Sequence, residues 1–186
     1  YDDALLINPH QHVIPILNGI INSGINAWFH TPNAVHASEI TDEIARLMKK
    51  AGFKTIRLGI ETGAFSFKTE EPDKKVTEKD FKRAVFNLKN AGFRRDEIGA
   101  YLLAGLPGES LSTLKASIQM VKACNITPIL AHYTPIPHTV LWQKAATASR
   151  YDLESDPVFT NNAISPCRKD PFSWNQISLL KNLASF

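Results

Sequence analysis

Residues 51–60 have the sequence AGFKTIRLGI, in which a glycine separates a helical pattern from an extended apolar run. Before it, apolar residues recur at helical spacing over 40–48. Gly52 suits the end of a helix because glycine adopts positive φ without steric cost. The stretch therefore predicts a helix, a tight turn and then a buried strand.

The same helix–turn–strand unit occurs twice more along the chain. One copy runs from an apolar stripe over 81–88 into a strand over 98–103, and the other from 114–121 into 128–133. Thr77, with Asp80 three residues later, resembles a capping box at the start of the first of these two helices. Strands that alternate with helices predict parallel pairing with right-handed crossovers.

A further helix over 13–21, a short strand near 27–29 and a strand stub at 1–3 bring the predicted strands to five. A closed α/β barrel needs eight, so we predict part of a barrel with one open edge near the amino terminus. An unpaired edge of this kind attracts another strand, and edge-strand association is therefore expected. The sequence after 144 is loop-rich and ends in a helix near 173–183.

The composition excludes several classes of protein. The 21 Lys and Arg residues and 18 Asp and Glu residues give a formal charge of +3, spread too thinly for a nucleic-acid surface. No apolar run is long enough for a membrane span, and the first residues are not a signal peptide, so the chain is expected to begin inside a longer protein. The only two cysteines, Cys124 and Cys167, form no disulfide framework, and this predicts a reducing, cytoplasmic location.

Special residues follow each predicted strand, at the edge where parallel α/β proteins bind ligands. The carboxylate of Glu61 could form a salt bridge or contact a ligand. The glycine-rich turn 105–108 could be a tight turn or could let the backbone approach a flat ligand such as adenine. The strand-end candidates are Asp2, Asp3, Asn33, Glu61, Gly105, Pro107, Gly108 and Pro135.

The sequence offers no metal site of its own. The six histidines lack a spacing such as H-E-x-x-H, and two cysteines are too few for a thiolate-bound cluster. Cys124 ends an apolar helical stripe, where a small buried residue is expected. Cys167 follows a proline in a loop, and a structural role is favoured over a ligand role.

Five motifs, in order between residues 1 and 144, resemble the radical S-adenosylmethionine (radical SAM) superfamily. Residues 103–109, LAGLPGE, are similar to its fifth-strand motif, and residues 58–63, LGIETG, resemble the fourth-strand region of its B12-binding and methylthiotransferase-like branch. Residues 133–139, YTPIPHT, are similar to the sixth-strand signature TPxPGT, with His138 in place of glycine. Residues 1–3 resemble the end of the second strand, and residues 31–38 resemble a third-strand turn, TPNGLHAR, with Ala34 in place of glycine and Ser38 in place of arginine.

The resemblance implies an α/β fold, a partial (βα)6 TIM-like open barrel over 1–144, with the extension 145–186 packed on it. It implies S-adenosylmethionine and a [4Fe-4S] cluster as cofactors, and the B12-binding branch adds cobalamin as a further candidate. Asp2 and Asp3 would lie near the methionine amino group, Asn33 at the third-strand mouth and Glu61 near the ribose or methionine. The adenine would lie beside Gly105, Pro107 and Gly108, with Pro135 as another cofactor-binding candidate.

One departure from the family is large, because the C-x3-C-x2-C loop that holds the cluster is absent from these residues. The family cleaves SAM at this cluster to a 5′-deoxyadenosyl radical, so the 186 residues alone are expected to be catalytically silent. Two other hypotheses stay open at this point. The chain could be a degenerate barrel that serves as a binding or scaffold module, or an unrelated α/β enzyme that uses Glu61 as acid or base. The substrate is not encoded in any of these motifs.

Overall fold

A computed structural model describes residues 5–60, 76–170 and 172–185 of the chain. The described residues form the helices α1 (Val13–Asn22), α2 (Asp42–Ala51), α3 (Glu78–Asn90), α4 (Leu111–Ala123), α5 (Trp142–Ala148) and α6 (Trp174–Ala184). They form the strands β1 (Phe29–His30), β2 (Val35–His36), β3 (Phe53–Gly59), β4 (Ile98–Ala104) and β5 (Thr127–His132). The predicted strand stub at 1–3 lies outside the described residues.

The five strands form one parallel sheet in the order β1-β3-β4-β5, and β2 also pairs with β3. Both short strands lie on the same edge of β3, where His30 pairs with Thr55 and Val35 with Leu58. They therefore act as a single edge strand that residues 31–34 interrupt. The prediction of an open α/β sheet with parallel strands is confirmed, whereas β2 was not predicted.

Alternate residues of the strands face the helices. Ile56 and Leu58 on β3 and Ala100 and Leu102 on β4 are fully buried, in one core with residues of α1, α2, α3 and α4. Residues of the opposite parity, such as Tyr101, are only half-buried. The helices therefore cover one face of the sheet and leave its other face more open, because side chains alternate along a strand.

The predicted helix ends are confirmed in detail. Gly52, after α2, has φ +99°, and Asn125, after α4, has φ +51°. At the start of α3, the Thr77 hydroxyl accepts a hydrogen bond from the Asp80 backbone N–H at 3.1 Å, and the Asp80 carboxylate accepts one from the Thr77 N–H at 3.3 Å. The hydrogen bond from the Thr77 hydroxyl also lowers the pKa of Asp80. The longest described helices have 13 residues, and none in these ranges has the length and apolarity of a membrane span.

The carboxy-terminal region packs at two places. Trp142 and Ala145 of α5 form a small apolar cluster with Leu153 and Cys167, separate from the main core. Leu180 of α6 joins the main core, which agrees with the predicted final helix. Helix α5 was not predicted, and it crosses the proposed boundary between 144 and 145. The division into two domains stays a prediction.

Candidate functional site at the carboxyl ends of β4 and β5

A glycine-rich turn connects β4 to α4. Gly105 has φ +90° and Gly108 has φ +77°, a region that residues with a side chain adopt only with strain. A Cβ atom added to either glycine would meet no heavy atom within 4 Å. Both positions therefore need glycine for backbone conformation, and the turn leaves open space beside it that a flat ligand could occupy.

Glu109 holds this turn together, and sequence reasoning missed that role. Its carboxylate accepts a hydrogen bond from the Gly105 backbone N–H at 2.8 Å, and the residue is only 7% exposed. Burial raises the pKa of Glu109, against the opposing effects of the Gly105 and Leu106 N–H groups and the Arg168 cation. The Gly105 N–H is thus already satisfied inside the protein, so a ligand would contact other atoms of the turn. A signal was present in the sequence, since this acid stands between a glycine-rich turn and the N-cap residue of α4.

A cavity of about 430 Å³ lies between the turn and helix α5. Its lining residues are Pro107, Gly108, Gln143, Lys144, Thr147 and Ala148. The proline ring, the glycine backbone and the alanine methyl group give apolar surface, whereas the amide, ammonium and hydroxyl groups of α5 give polar contacts. Two of the predicted cofactor-binding residues, Pro107 and Gly108, therefore share one cavity.

The end of β5 lies beside this turn. The Tyr133 N–H donates to the Ala104 carbonyl at 2.9 Å, which continues the β4–β5 pairing by one residue beyond β5. Pro135 follows and is buried. In the next turn, the Thr139 N–H donates to the Ile136 carbonyl at 3.4 Å, and His138 has φ +65°. His138 therefore adopts a left-handed conformation at the position where the TPxPGT motif has glycine.

Asn33 lies at a different place in the sheet. It belongs to the interruption between β1 and β2, beside the middle of β3, and the neighbouring Pro32 carbonyl accepts a hydrogen bond from the Tyr101 hydroxyl at 2.9 Å. A second cavity, of about 390 Å³, is lined by Leu5, Ile16, Ile20, Phe29, His30, Thr31, Pro32, Asn33, Val35 and Phe53. This cavity shares no lining residue with the one at the glycine-rich turn. The structure thus places Pro107 and Gly108, which are neighbours in sequence, at one cavity and Asn33 at another.

Three predicted cofactor-binding residues, Asp2, Asp3 and Glu61, lie outside the described residues. Their proposed contacts with the methionine and ribose of SAM stay predictions.

The described residues do not fit an iron–sulfur cluster. They contain no group of three His, Cys, Asp or Glu residues that could hold a metal ion. Burial raises the pKa of the Cys167 thiol to about 11, and burial also raises that of Cys124. Cluster ligation needs three or four thiolates, and the two cysteines of these 186 residues cannot supply them. We therefore derive no chemical step from a cluster on these residues.

Comparison with known proteins identifies the family. The family model described as "Radical SAM superfamily" matches residues 14–121, more than half of the chain. The chain belongs to the radical SAM superfamily. No curated protein matches its sequence.

Seven chains of solved structures match the fold. One is the radical S-adenosylmethionine methyltransferase TsrM from Kitasatospora setae, with cobalamin and a [4Fe-4S] cluster bound; the TM-score is 0.59 at 20% sequence identity. The match covers 78% of the present chain and 27% of the TsrM chain. At this identity the likeness is one of fold, and it agrees with the predicted partial barrel.

The family assignment confirms the resemblance seen in the sequence motifs. It makes SAM and a [4Fe-4S] cluster the cofactors of the family to which the chain belongs. It also removes the hypothesis of an unrelated α/β enzyme that uses Glu61 as acid or base.

Proposed function

We propose that the carboxyl ends of β4 and β5 form the adenosyl-binding part of a radical SAM enzyme, with the turn 105–108 against the adenine. The observation that carries this proposal is the cavity beside two glycines of positive φ, inside a chain of the radical SAM superfamily. In the complete enzyme, the reduced [4Fe-4S] cluster would cleave SAM and supply a 5′-deoxyadenosyl radical.

The chemistry of the cavity suits a purine. A flat ring can pack on the Pro107 ring and the Gly108 backbone, since no side chain covers either glycine of the turn. On the opposite wall, the Gln143 side chain carries an amide that can act as both donor and acceptor, while the Thr147 hydroxyl already donates to the Gln143 backbone carbonyl at 2.9 Å. Apolar surface with a few polar groups is the usual lining of a small-molecule site.

The remaining cofactor contacts are proposals carried over from the family motifs. Asp2 and Asp3 would bind the methionine amino group, and Glu61 would bind the ribose or the methionine. Pro135 would support the site from the segment after β5, whereas Asn33, which lines the separate cavity at the edge strand, would contact another part of SAM. Cobalamin is proposed as a further cofactor, because the similar TsrM structure has cobalamin bound.

The setting of the protein is proposed on separate grounds. Both cysteines are free in the structure, and this supports a reducing, cytoplasmic location. Residues 1–144 would be the barrel part and 145–186 the extension packed on it. The edge formed by β1 and β2 is proposed as a place where another strand pairs.

Binding of 5′-deoxyadenosine tests the proposal without any cluster. Amide chemical shifts of the 186-residue chain should move at the turn 105–108 and at α5, with a dissociation constant of about 1 mM, as expected when one stacked ring and a few hydrogen bonds offset association entropy. Gly108→Ala places a methyl group where the ring would pack and should weaken binding roughly tenfold, which corresponds to about 1.4 kcal/mol.

Gly24→Ala is the matched control. Gly24 also has positive φ, +67°, and open space at its Cβ position, so alanine causes similar backbone strain away from the cavity. It should leave the affinity unchanged. If 5′-deoxyadenosine moves no amide of the turn, or if both variants weaken binding equally, the assignment of the adenine site is refuted and the scaffold-module hypothesis gains support.

A further inference from the structure

The segment after α5 reaches back to the glycine-rich turn through one arginine. The Arg168 guanidinium donates from Nη1 to the Glu109 backbone carbonyl at 2.8 Å, across 59 residues of sequence. Its position is fixed on the other side as well, because Nε donates to the Asp170 carbonyl at 3.1 Å and the guanidinium lies 4.1 Å from the Phe172 ring centroid. The family match ends at residue 121, so it assigns no role to this segment.

Glu109 connects Arg168 to the turn. The carboxylate of Glu109 binds the Gly105 N–H, while the backbone carbonyl of the same residue binds Arg168. A continuous series of contacts therefore runs from Phe172 through Arg168 and Glu109 to Gly105. Each contact is a hydrogen bond of 2.8 Å or a close cation–ring stack, and Glu109 in the middle is buried.

We propose that Arg168 is a positioning residue, through which the carboxy-terminal extension holds the turn 105–108 in its ligand-binding shape. The proposal rests on the proposed function, in that the turn is taken to contact the adenosyl group. It also assigns a role in cofactor binding to residues 149–170, which lie outside the residues that the family model matches.

The physical reason is the freedom of a turn with two glycines. Glycine loses more conformational freedom on ordering than any other residue, so a free turn would lose that entropy when a ligand binds. A turn that Glu109 already fixes has lost this conformational entropy when the protein folds. Preorganisation of this kind raises ligand affinity without any new ligand contact. The Arg168 cation also stabilises the buried carboxylate in the charged form that accepts the Gly105 N–H.

Two variants of Arg168 and one matched control test this proposal. Arg168→Ala removes the donor and the charge, whereas Arg168→Lys keeps the charge without the planar stack. Arg150→Ala is the control, because Arg150 also stacks on a ring of the extension, that of Tyr151 at 4.7 Å, without a described contact to the turn. All three are compared with the parent chain by thermal unfolding and by titration with 5′-deoxyadenosine.

Arg168→Ala should weaken binding of 5′-deoxyadenosine about fivefold, with Arg168→Lys in between and Arg150→Ala equal to the parent. The Gly105 amide shift, followed against pH, supplies a readout that a general loss of stability would not change. It reports the ionisation of Glu109, and its midpoint should move to higher pH in Arg168→Ala because the neighbouring cation is lost.

The two proposals fail in different ways. If the parent chain binds 5′-deoxyadenosine at the turn but Arg168→Ala has the parent's affinity and the same Gly105 midpoint, the role of Arg168 is refuted and the proposed function stands. If the parent does not bind at the turn, the proposed function fails; an unchanged Gly105 midpoint in Arg168→Ala would then refute the coupling to the turn as well.

Discussion

Replacing Gly52 by alanine should strongly destabilise the protein, because two separate costs meet at this residue. Gly52 has φ +99°, and an L-residue in a left-handed conformation costs about 1–2 kcal/mol. A Cβ atom there would also lie 2.5 Å from the Ala27 carbonyl oxygen, a backbone atom that cannot rotate away. Relief requires a shift of the β1 segment, whose Phe29 N–H donates to the Gly52 carbonyl at 3.1 Å. Overpacking of this kind adds roughly 1–3 kcal/mol.

The sum is about 2–5 kcal/mol, a large share of the roughly 5–15 kcal/mol that stabilises a typical domain. Gly19→Ala is the control, since Gly19 lies inside α1 with nothing within 4 Å of its Cβ position. It should stabilise the protein by about 0.5–1 kcal/mol. Urea unfolding followed by circular dichroism measures both free energies. If Gly52→Ala lies within 0.5 kcal/mol of the parent, on the order of the usual effect of a surface change, the close approach of β1 to the end of α2 is wrong.

Three other outcomes are expected. His138→Gly should raise the free energy of unfolding by about 0.5–1 kcal/mol, because glycine relieves the left-handed strain at φ +65°. Part of the gain is offset because glycine makes the unfolded chain more flexible. A less stable variant would contradict the turn geometry. Because burial raises the folded-state pKa of Cys167 from 9.0 to about 11, stability should be intact below pH 9 and fall by roughly 2–3 kcal/mol as the pH rises past 11. Cys167→Ala should reduce this slope in urea titrations but leave the part that comes from Cys124, whose pKa burial also raises. Anaerobic incubation of the 186-residue chain with iron and sulfide should give no stoichiometric [4Fe-4S] absorbance, since two cysteines cannot supply three thiolate ligands; a full cluster signal would make Cys167 a ligand candidate.

The elements that sequence reasoning identified are those whose signals are local. The helix ends at Gly52 and Asn125 and the capping box at Thr77 each depend on a few adjacent residues, and all three are present in the structure. The parallel sheet followed from the alternation of helices and strands alone. Local propensity and tertiary packing favour the same structure at these residues, so the sequence pattern alone was enough to predict it.

The elements that sequence reasoning missed depend on distant contacts. Helix α5 has seven residues and no side-chain N-cap, and only Trp142 and Ala145 are buried, against partners 8 to 25 residues later. Strand β2 has two residues, and its pairing with β3 is visible only once the edge strand is in place. Neither leaves a periodic pattern long enough to read from the sequence.

The candidate site was predicted in part for the same reason. Motif resemblance identified Pro107 and Gly108, which the structure places in one cavity. It could not show that Glu109 takes the Gly105 N–H, since that bond depends on the φ values of the turn. Nor could it show that Asn33 lies beside the middle of β3. That position depends on how β1 and β2 pair with β3, and a motif carries no information about strand register.

A crystal structure of the chain soaked with 5′-deoxyadenosine would show directly whether the adenine site is correctly assigned. We expect the adenine ring between the turn 105–108 and helix α5, packed on Pro107 and Gly108, with the Gly105 N–H still bound to Glu109. A ring bound in the cavity beside Asn33, with the turn 105–108 unoccupied, would contradict this assignment.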